Sequence, residues 1–330
     1  MTDQQPKLGQ PAAPLSTSSE LEGEPVRWPQ QRGRTSSEAI KAGLGFLAAR
    51  WQDGRWQDSS LPFCGSDVWV TSCVLARLGE LPSEYKSHSL QRKIESSLDW
   101  LMCARSAEGC WGSRPRERER ERQDDANSTA YAVVALRAHG RAVPGAALDF
   151  LRRCRRFDGG FASDPAGKES APETATIAVR ALAEVNWATE DFLAAYLRTS
   201  GSAGSSASAS SARRALRFHV CAGILDWREG LASTSLLNQV RQVAAAGFGN
   251  EGAMDRALLL RCLLRLRMQR AWSLAAALRA MQLDDGSWSD HDDDKILATV
   301  TAVSALVLGE SQPGLYFGSD LPLPRRLQQL

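Results

Sequence analysis

Apolar positions recur along most of this chain at the three- and four-residue spacing of amphipathic helices. Six segments combine that spacing with a polar face: 37–50, 89–104, 143–156, 189–199, 232–246 and 270–283. In 89–104, Leu90, Ile94, Leu98 and Leu101 form one stripe, and Gln91, Arg92, Lys93 and Glu95 lie off it. Such a segment buries one side only and reads as an outer helix. Between these segments run six stretches rich in Ala, Val and Thr and poor in charge. They end in Leu78, Leu136, Leu182, Leu225, Leu264 and Leu306. Tyr131-Ala132-Val133-Val134-Ala135-Leu136 typifies them; a helix of that composition is apolar all round and is expected to be an inner one. The terminal leucines stand 58, 46, 43, 39 and 42 residues apart, the period of a two-helix repeat.

A second repeat punctuates the first. An acidic residue, Gly, any residue and an aromatic recur as Asp53-Gly54-Arg55-Trp56, Glu108-Gly109-Cys110-Trp111, Asp158-Gly159-Gly160-Phe161 and Asp285-Gly286-Ser287-Trp288, with Gly247-Phe248 a reduced fifth copy. One helix pair is too small to cover its own apolar faces and must lean on its neighbours. Six outer and six inner helices in strict alternation therefore predict an all-α (α/α)6 barrel, a closed toroid over residues 36–309, with an open solenoid as the alternative. Residues 1–35, rich in Gln, Pro, Ser and Thr, are expected to form a disordered tail, and 310–330 a C-terminal tail. The charge-alternating stretch 114–122 reads as a solvated loop, with a lid or phosphate-binding role as its functional alternative. Residues 201–211, nearly all Gly, Ser and Ala, read as a flexible insertion.

Composition changes this picture little. Of 330 residues, 43% are hydrophobic, enough for a large core, and 40 Lys and Arg against 38 Asp and Glu leave a net charge of +2, too small a field to recruit nucleic acid. No apolar run reaches the roughly 18 residues of a membrane span. The first 30 residues lack the basic-then-apolar order of a secretory signal, so a cytoplasmic location is expected. Seven cysteines are scattered and never spaced C-x-x-C, which predicts buried reduced thiols rather than a disulfide framework or zinc knuckle. His291-Asp292-Asp293-Asp294 clusters hard oxygens but reads as a solvated cap before the last inner helix rather than a magnesium site. With no P-loop, G-x-G-x-x-G or G-x-S-x-G motif, neither a metal nor a cofactor is expected.

Gln282-Leu283-Asp284-Asp285-Gly286-Ser287-Trp288 resembles the QW repeat of squalene-hopene and oxidosqualene cyclases, in which Gln and Trp tie an outer helix to its loop. Arg50, Arg105 and Arg155 stand at the Gln position in three other copies, so the repeat is relaxed. Asp158-Gly159-Gly160-Phe161 is similar to the Gly-Gly-aromatic turns of protein prenyltransferase β subunits. Together these features cover residues 37–309, and the chain is similar to the αα-barrel superfamily that holds both groups.

Aligning inner helices on their terminal Leu puts Thr129 and Ala130 where class II terpene cyclases carry the Thr-Ala of DxDD-T-A. The tetrad here is Asp125-Ala126-Asn127-Ser128. In that family the middle aspartic acid protonates an alkene or epoxide. Its position resembles Asn127, whose amide has no acidic proton to give. The resemblance therefore implies an altered motif, with Asp125 as acid or a substitute among Glu173, Asp255 and Asp67. Counting back nine residues from Leu182 and Leu264 gives Glu173 and Asp255, and eleven from Leu78 gives Asp67. Capping a helix N-terminus accounts for each of these carboxylates equally well.

Trp69, Asn127, Tyr131, Phe218 and His219 are the candidate substrate-lining residues. Ring faces can hold a carbocation or an isoprenoid chain, and core packing is the alternative. His219 is a candidate base or a core residue. The prenyltransferase zinc pattern of Asp, a nearby Cys and a distant His is not matched at Glu173-Thr174-Ala175. The leading expectation is a terpene-cyclase-like isomerase or lyase acting on an isoprenoid or polyene-like small molecule in biosynthesis. A prenyltransferase-like β subunit with a partner subunit and a non-catalytic hydrophobic-ligand or scaffold barrel are the alternatives; a partner protein or homo-oligomer stays open.

Overall fold

The computed structural model describes residues 34–57, 67–113, 123–199, 207–227, 230–246, 252–289 and 295–311, all within the compact unit Gly33–Leu330. Twelve α-helices lie among the described residues. In chain order they are α1 (Ser36–Ala49), α2 (Asp67–Gly79), α3 (His88–Cys103), α4 (Ala126–Ala138), α5 (Gly145–Cys154), α6 (Pro172–Leu182), α7 (Trp187–Thr199), α8 (Ala207–Leu225), α9 (Thr234–Ala246), α10 (Ala253–Arg265), α11 (Ala271–Ala280) and α12 (Lys295–Glu310). The odd-numbered helices match the amphipathic segments and the even-numbered ones the Leu-terminated stretches. None is long and apolar enough to cross a membrane.

Outer helices form where a stripe and a cap coincide. In α3, Leu90, Ile94, Leu98 and Leu101 are buried, and the Ser87 hydroxyl caps the helix by accepting from the Leu90 amide at 3.2 Å. Each such leucine contributes roughly 1.5–3 kcal/mol by leaving water. Thr35 and Glu38 make a reciprocal capping box at the start of α1. Inner helices are covered on nearly every side: in α4 all residues from Ser128 to Leu136 are buried. α2 packs on α4, α4 on α6, α6 on α8, α8 on α10, α10 on α12, and α12 returns to α2. The inner contacts thus close on themselves, the arrangement of a toroid and not of an open solenoid. α1 lies against α12 at the seam. Gly43 permits this approach, because a Cβ there would stand 2.6 Å from Val303 Cγ2 and 2.9 Å from Trp288 Cζ3.

Two expectations need correction. The supposed flexible insertion at 201–211 is helical from Ala207, where α8 begins. Buried Phe218, Val220, Cys221 and Ile224 anchor this helix, and an Ala-rich N-terminal extension propagates at little cost. Cys103 is exposed at the end of α3, whereas Cys73, Cys110, Cys154, Cys221 and Cys262 are buried free thiols. The tail at 1–33, Cys64, the charged stretch 114–122, the reduced repeat Gly247-Phe248, the cluster 291–294 and the segment 312–330 lie outside the described residues.

Candidate functional site

Turns and threonines set the height of the inner helices. The indole Nε1 of Trp56 donates to Leu47 O at 2.7 Å, that of Trp111 to Leu101 O at 2.8 Å and that of Trp288 to Leu278 O at 2.7 Å. Each indole is thereby pinned to the end of the preceding outer helix. The next inner helix then clasps the same residue. Thr71 Oγ1 accepts from Trp56 N at 3.0 Å and donates to Trp56 O at 3.1 Å; Thr129 does the same for Trp111 at 3.1 and 2.8 Å. Thr299 Oγ1 accepts from Trp288 N at 3.0 Å. The acidic-Gly turn needs its glycine because the backbone there is left-handed, with φ of 83°, 84°, 88° and 87° at Gly54, Gly109, Gly159 and Gly286. Gln282 completes its copy by donating through Nε2 to Ala39 O and Gly286 O, each at 2.9 Å, which ties α1 to the turn after α11.

These clasps bring the N-terminal ends of the inner helices to one rim, where four predicted acids sit in different circumstances. Asp67 pairs with Arg55 at 2.9 Å and accepts from Gln57 at 3.1 Å. Asp125 is the N-cap of α4, its Oδ1 accepting from the Ser128 amide at 2.7 Å. Asp255 is buried in the first turn of α10. Glu173, second residue of α6, has a buried Oε2 without a hydrogen-bond partner, and Asn127, second residue of the neighbouring α4, has a buried Oδ1 in the same condition.

Helix periodicity carries the same face inward from Asn127 to Tyr131, from Trp69 to Cys73, and from Glu173 to Ile177 and Arg180. Trp69 and Tyr131 meet edge to face, centroids 6.3 Å apart and planes at 86°. The Tyr131 hydroxyl lies 3.2 Å from His219 Nε2. Burial and the nearby Arg77 charge push the His219 pKa down to about 4, so the imidazole is neutral near pH 7. Burial likewise raises the Tyr131 phenol and keeps it protonated. Phe218 is buried too. Adjacent helical residues diverge by about 100°, so with His219 turned to Tyr131, Phe218 faces the packing between helices.

Below this aromatic layer, at the C-terminal ends of the inner helices, five charged side chains interlock. Arg77 Nη1 meets Asp226 Oδ2 at 2.7 Å and Glu80 Oε1 at 3.2 Å. Arg180 Nη2 meets Glu80 Oε1 at 2.8 Å. Arg261 Nη2 bridges Asp226 Oδ1 at 2.6 Å and Glu80 Oε2 at 3.0 Å, and its Nη1 donates to Ser304 Oγ. Burial alone would raise the Glu80 carboxyl, but the Arg261 and Arg77 charges outweigh it and hold it to about 2. Asp226 is lowered in the same way: burial opposes, and Arg261, Arg77 and Arg180 prevail. A void of about 20 Å³, lined by Arg77, Tyr131, Ile177, Arg180, His219 and Asp226 among others, separates the charges from the rings; it has room for one water.

No protein-family model matches the chain. Among curated proteins, drimenyl diphosphate synthase of Streptomyces showdoensis is 34% identical over 120 residues, a match covering 35% of this chain and 21% of that relative's length. Among solved structures, a protein from Actinoplanes superposes with a TM-score of 0.63 at 18% identity, covering 84% of this chain and all of that one. The type II terpene cyclase MstE from Scytonema gives 0.61 at 19% identity, covering 85% of this chain and 98% of that one. The fold is that of the type II terpene cyclases. An ent-copalyl diphosphate synthase from Streptomyces platensis gives 0.54 at 18% identity over 74% of this chain and 51% of its own. Within this cyclase fold, the rim residues and aromatics named from sequence occupy the inner-helix N-terminal halves. The charge cluster beneath them was missed. Its signal is present: Arg77, Arg180, Asp226 and Arg261 are lone charges within three residues of the terminal leucines of otherwise apolar helices.

Proposed function

We propose that this chain is a terpene-cyclase-like enzyme that performs acid-base cyclisation, or related isomerase or lyase chemistry, on an isoprenoid or polyene-like substrate. Glu173 is the proton donor in this reading, with Asp255 beside it on the rim, while Asp125 and Asp67 hold helix ends. The observation that carries it is the buried Glu173 Oε2 without a protein partner. An acid whose outer oxygen is not engaged by the protein can address a substrate, whereas Asp125 and Asp67 are engaged by Ser128 and by Arg55 and Gln57. Asn127, at the position of the usual donor, has a buried acceptor oxygen and orients rather than protonates. Trp69 and Tyr131 present ring faces and edges to a developing cation. His219, neutral because of burial, can take up the proton that ends the reaction. MstE has been crystallised with geranylgeranyl dihydroxybenzoate as substrate, and this chain's substrate is placed in the same broad class of prenylated compounds.

The test is turnover of linear prenyl diphosphates and prenylated aromatics by the full chain, with products read by mass spectrometry. Loss of a general acid slows proton transfer by about 10²–10⁴-fold, so Glu173→Gln should lower kcat by at least about a hundredfold while circular dichroism stays unchanged. Wild-type rates in both Glu173→Gln and Asp255→Asn would remove the acid from the rim and favour a carrier of hydrophobic ligands.

A further inference from the structure

We infer that the C-terminal mouth of the ring holds a binding site for a small tetrahedral oxyanion of the phosphate class. The charge cluster is unbalanced: Arg77, Arg180 and Arg261 face only Glu80 and Asp226, and none of the five side chains is more than 19% exposed. A buried cation without a counter-charge is costly. The C-terminal ends of the inner helices bring partial negative charge, roughly half a unit each. That tempers the excess but leaves one strong donor unused: Arg261 is 2% exposed and its Nε is buried with no acceptor.

A cavity of about 90 Å³ adjoins this arginine, lined by Arg261, Arg265, Ser304, Ser311 and Glu80 with an apolar wall of Leu81, Pro82, Val307 and Leu308. It has room for several waters or one tetrahedral oxyanion. Arg265 stands half out of the cavity, 43% exposed, and its Nη2 only reaches within 3.9 Å of Asp226 Oδ1, so its guanidinium can turn to a ligand. Ser304 Oγ donates to Glu80 Oε2 at 3.2 Å and Ser311 Oγ to Leu308 O at 2.9 Å. Both hydroxyls can rotate to donate to a bound oxygen. Arginine suits this role because its fork of donors matches phosphate oxygens. Glu80 on the same wall repels a second negative charge and so favours a singly charged, protonated form of the anion. The site lies at the opposite end of the inner helices from Glu173 and Asn127, and does not depend on the reaction proposed there.

Calorimetric titration and thermal unfolding of the full chain with inorganic phosphate test this, against sodium chloride at matched ionic strength, with sulfate and diphosphate as further arms. Phosphate should bind saturably and raise Tm. Arg265→Gln should weaken binding about tenfold or more while leaving the Tm without phosphate unchanged, and Glu173→Gln should leave phosphate binding intact. Tighter binding of diphosphate would assign the site to that larger member of the class. Phosphate no more effective than chloride, or binding indifferent to Arg265→Gln, would overturn the site.

Discussion

His219 lies 3.2 Å from the Tyr131 hydroxyl in surroundings that hold its ring neutral, with burial the larger cause and Arg77 the second. Its pKa in the fold, about 4, is below the ordinary 6.5, so the unfolded chain binds the proton more readily between those values. Stability should therefore fall as pH drops from about 6.5 toward 4, by up to about 3 kcal/mol from this residue. In urea titrations across that window, His219→Gln should flatten the slope; an unchanged slope would assign it to other groups. Asp125 makes a different residue-scale prediction. Its one described side-chain role is to cap α4, so Asp125→Asn should leave turnover within severalfold of wild type, while Asp125→Ala loses about 1 kcal/mol of stability. A hundredfold loss of turnover in Asp125→Asn would return it to the role of acid. Glu173 and Asn127 stand at equivalent counts from their terminal leucines, which sequence spacing captures. That their outer oxygens are unengaged depends on which donors the fold brings near.

At the scale of the element, the Trp-Thr clasp fixes how far each inner helix rises against the outer helix before it. Thr129→Val keeps the shape but removes the partner of both Trp111 N and Trp111 O. Each buried group left unsatisfied costs about 1–3 kcal/mol, and a domain of this size loses roughly 2–4 °C of Tm per kcal/mol. Thr129→Val should thus lower Tm by several degrees in a calorimetric scan, more than Thr129→Ser, which retains the hydroxyl. Gly159 is the matching test of the turn. A Cβ there would stand 2.1 Å from the Ala188 backbone on a left-handed residue, so Gly159→Ala should displace the start of α7 and destabilise the chain more than a surface Gly→Ala change. Thr129 was first singled out as the companion of a catalytic tetrad. Thr71 and Thr299 make the same bonds to their own tryptophans, which shows the threonine to be a feature of the repeat.

Across the whole molecule, two devices close the ring. The seam depends on Gly43, and Gly43→Leu should separate α1 from α12 and reduce the cooperativity of unfolding followed by tryptophan fluorescence. The C-terminal end depends on the cluster around Asp226. Breaking a buried ion pair by removing one partner costs about 3–5 kcal/mol, so Asp226→Ala should be among the most destabilising single changes in the chain. Glu80 and Asp226 both have carboxyls lowered in the fold, so the stability they supply is complete above their unfolded values near 4 and is lost as pH falls toward 2. Acid unfolding monitored by circular dichroism should show that loss, and Asp226→Asn should diminish it.

Periodicity and the repeated acidic-Gly-aromatic turn determined the helices, their outer or inner character and the probable ring, because both arise from contacts between residues near in sequence or related by the repeat. The capping alternative for Asp125 was equally local. The charge cluster joins residues up to 224 positions apart, from Glu80 to Ser304, and no pairwise rule along the chain links them. Only closure of the ring brings the ends of α2, α6, α8, α10 and α12 together, and only that closure decides which charges are paired, which acid oxygen is left to a substrate, and where one positive charge remains without a partner.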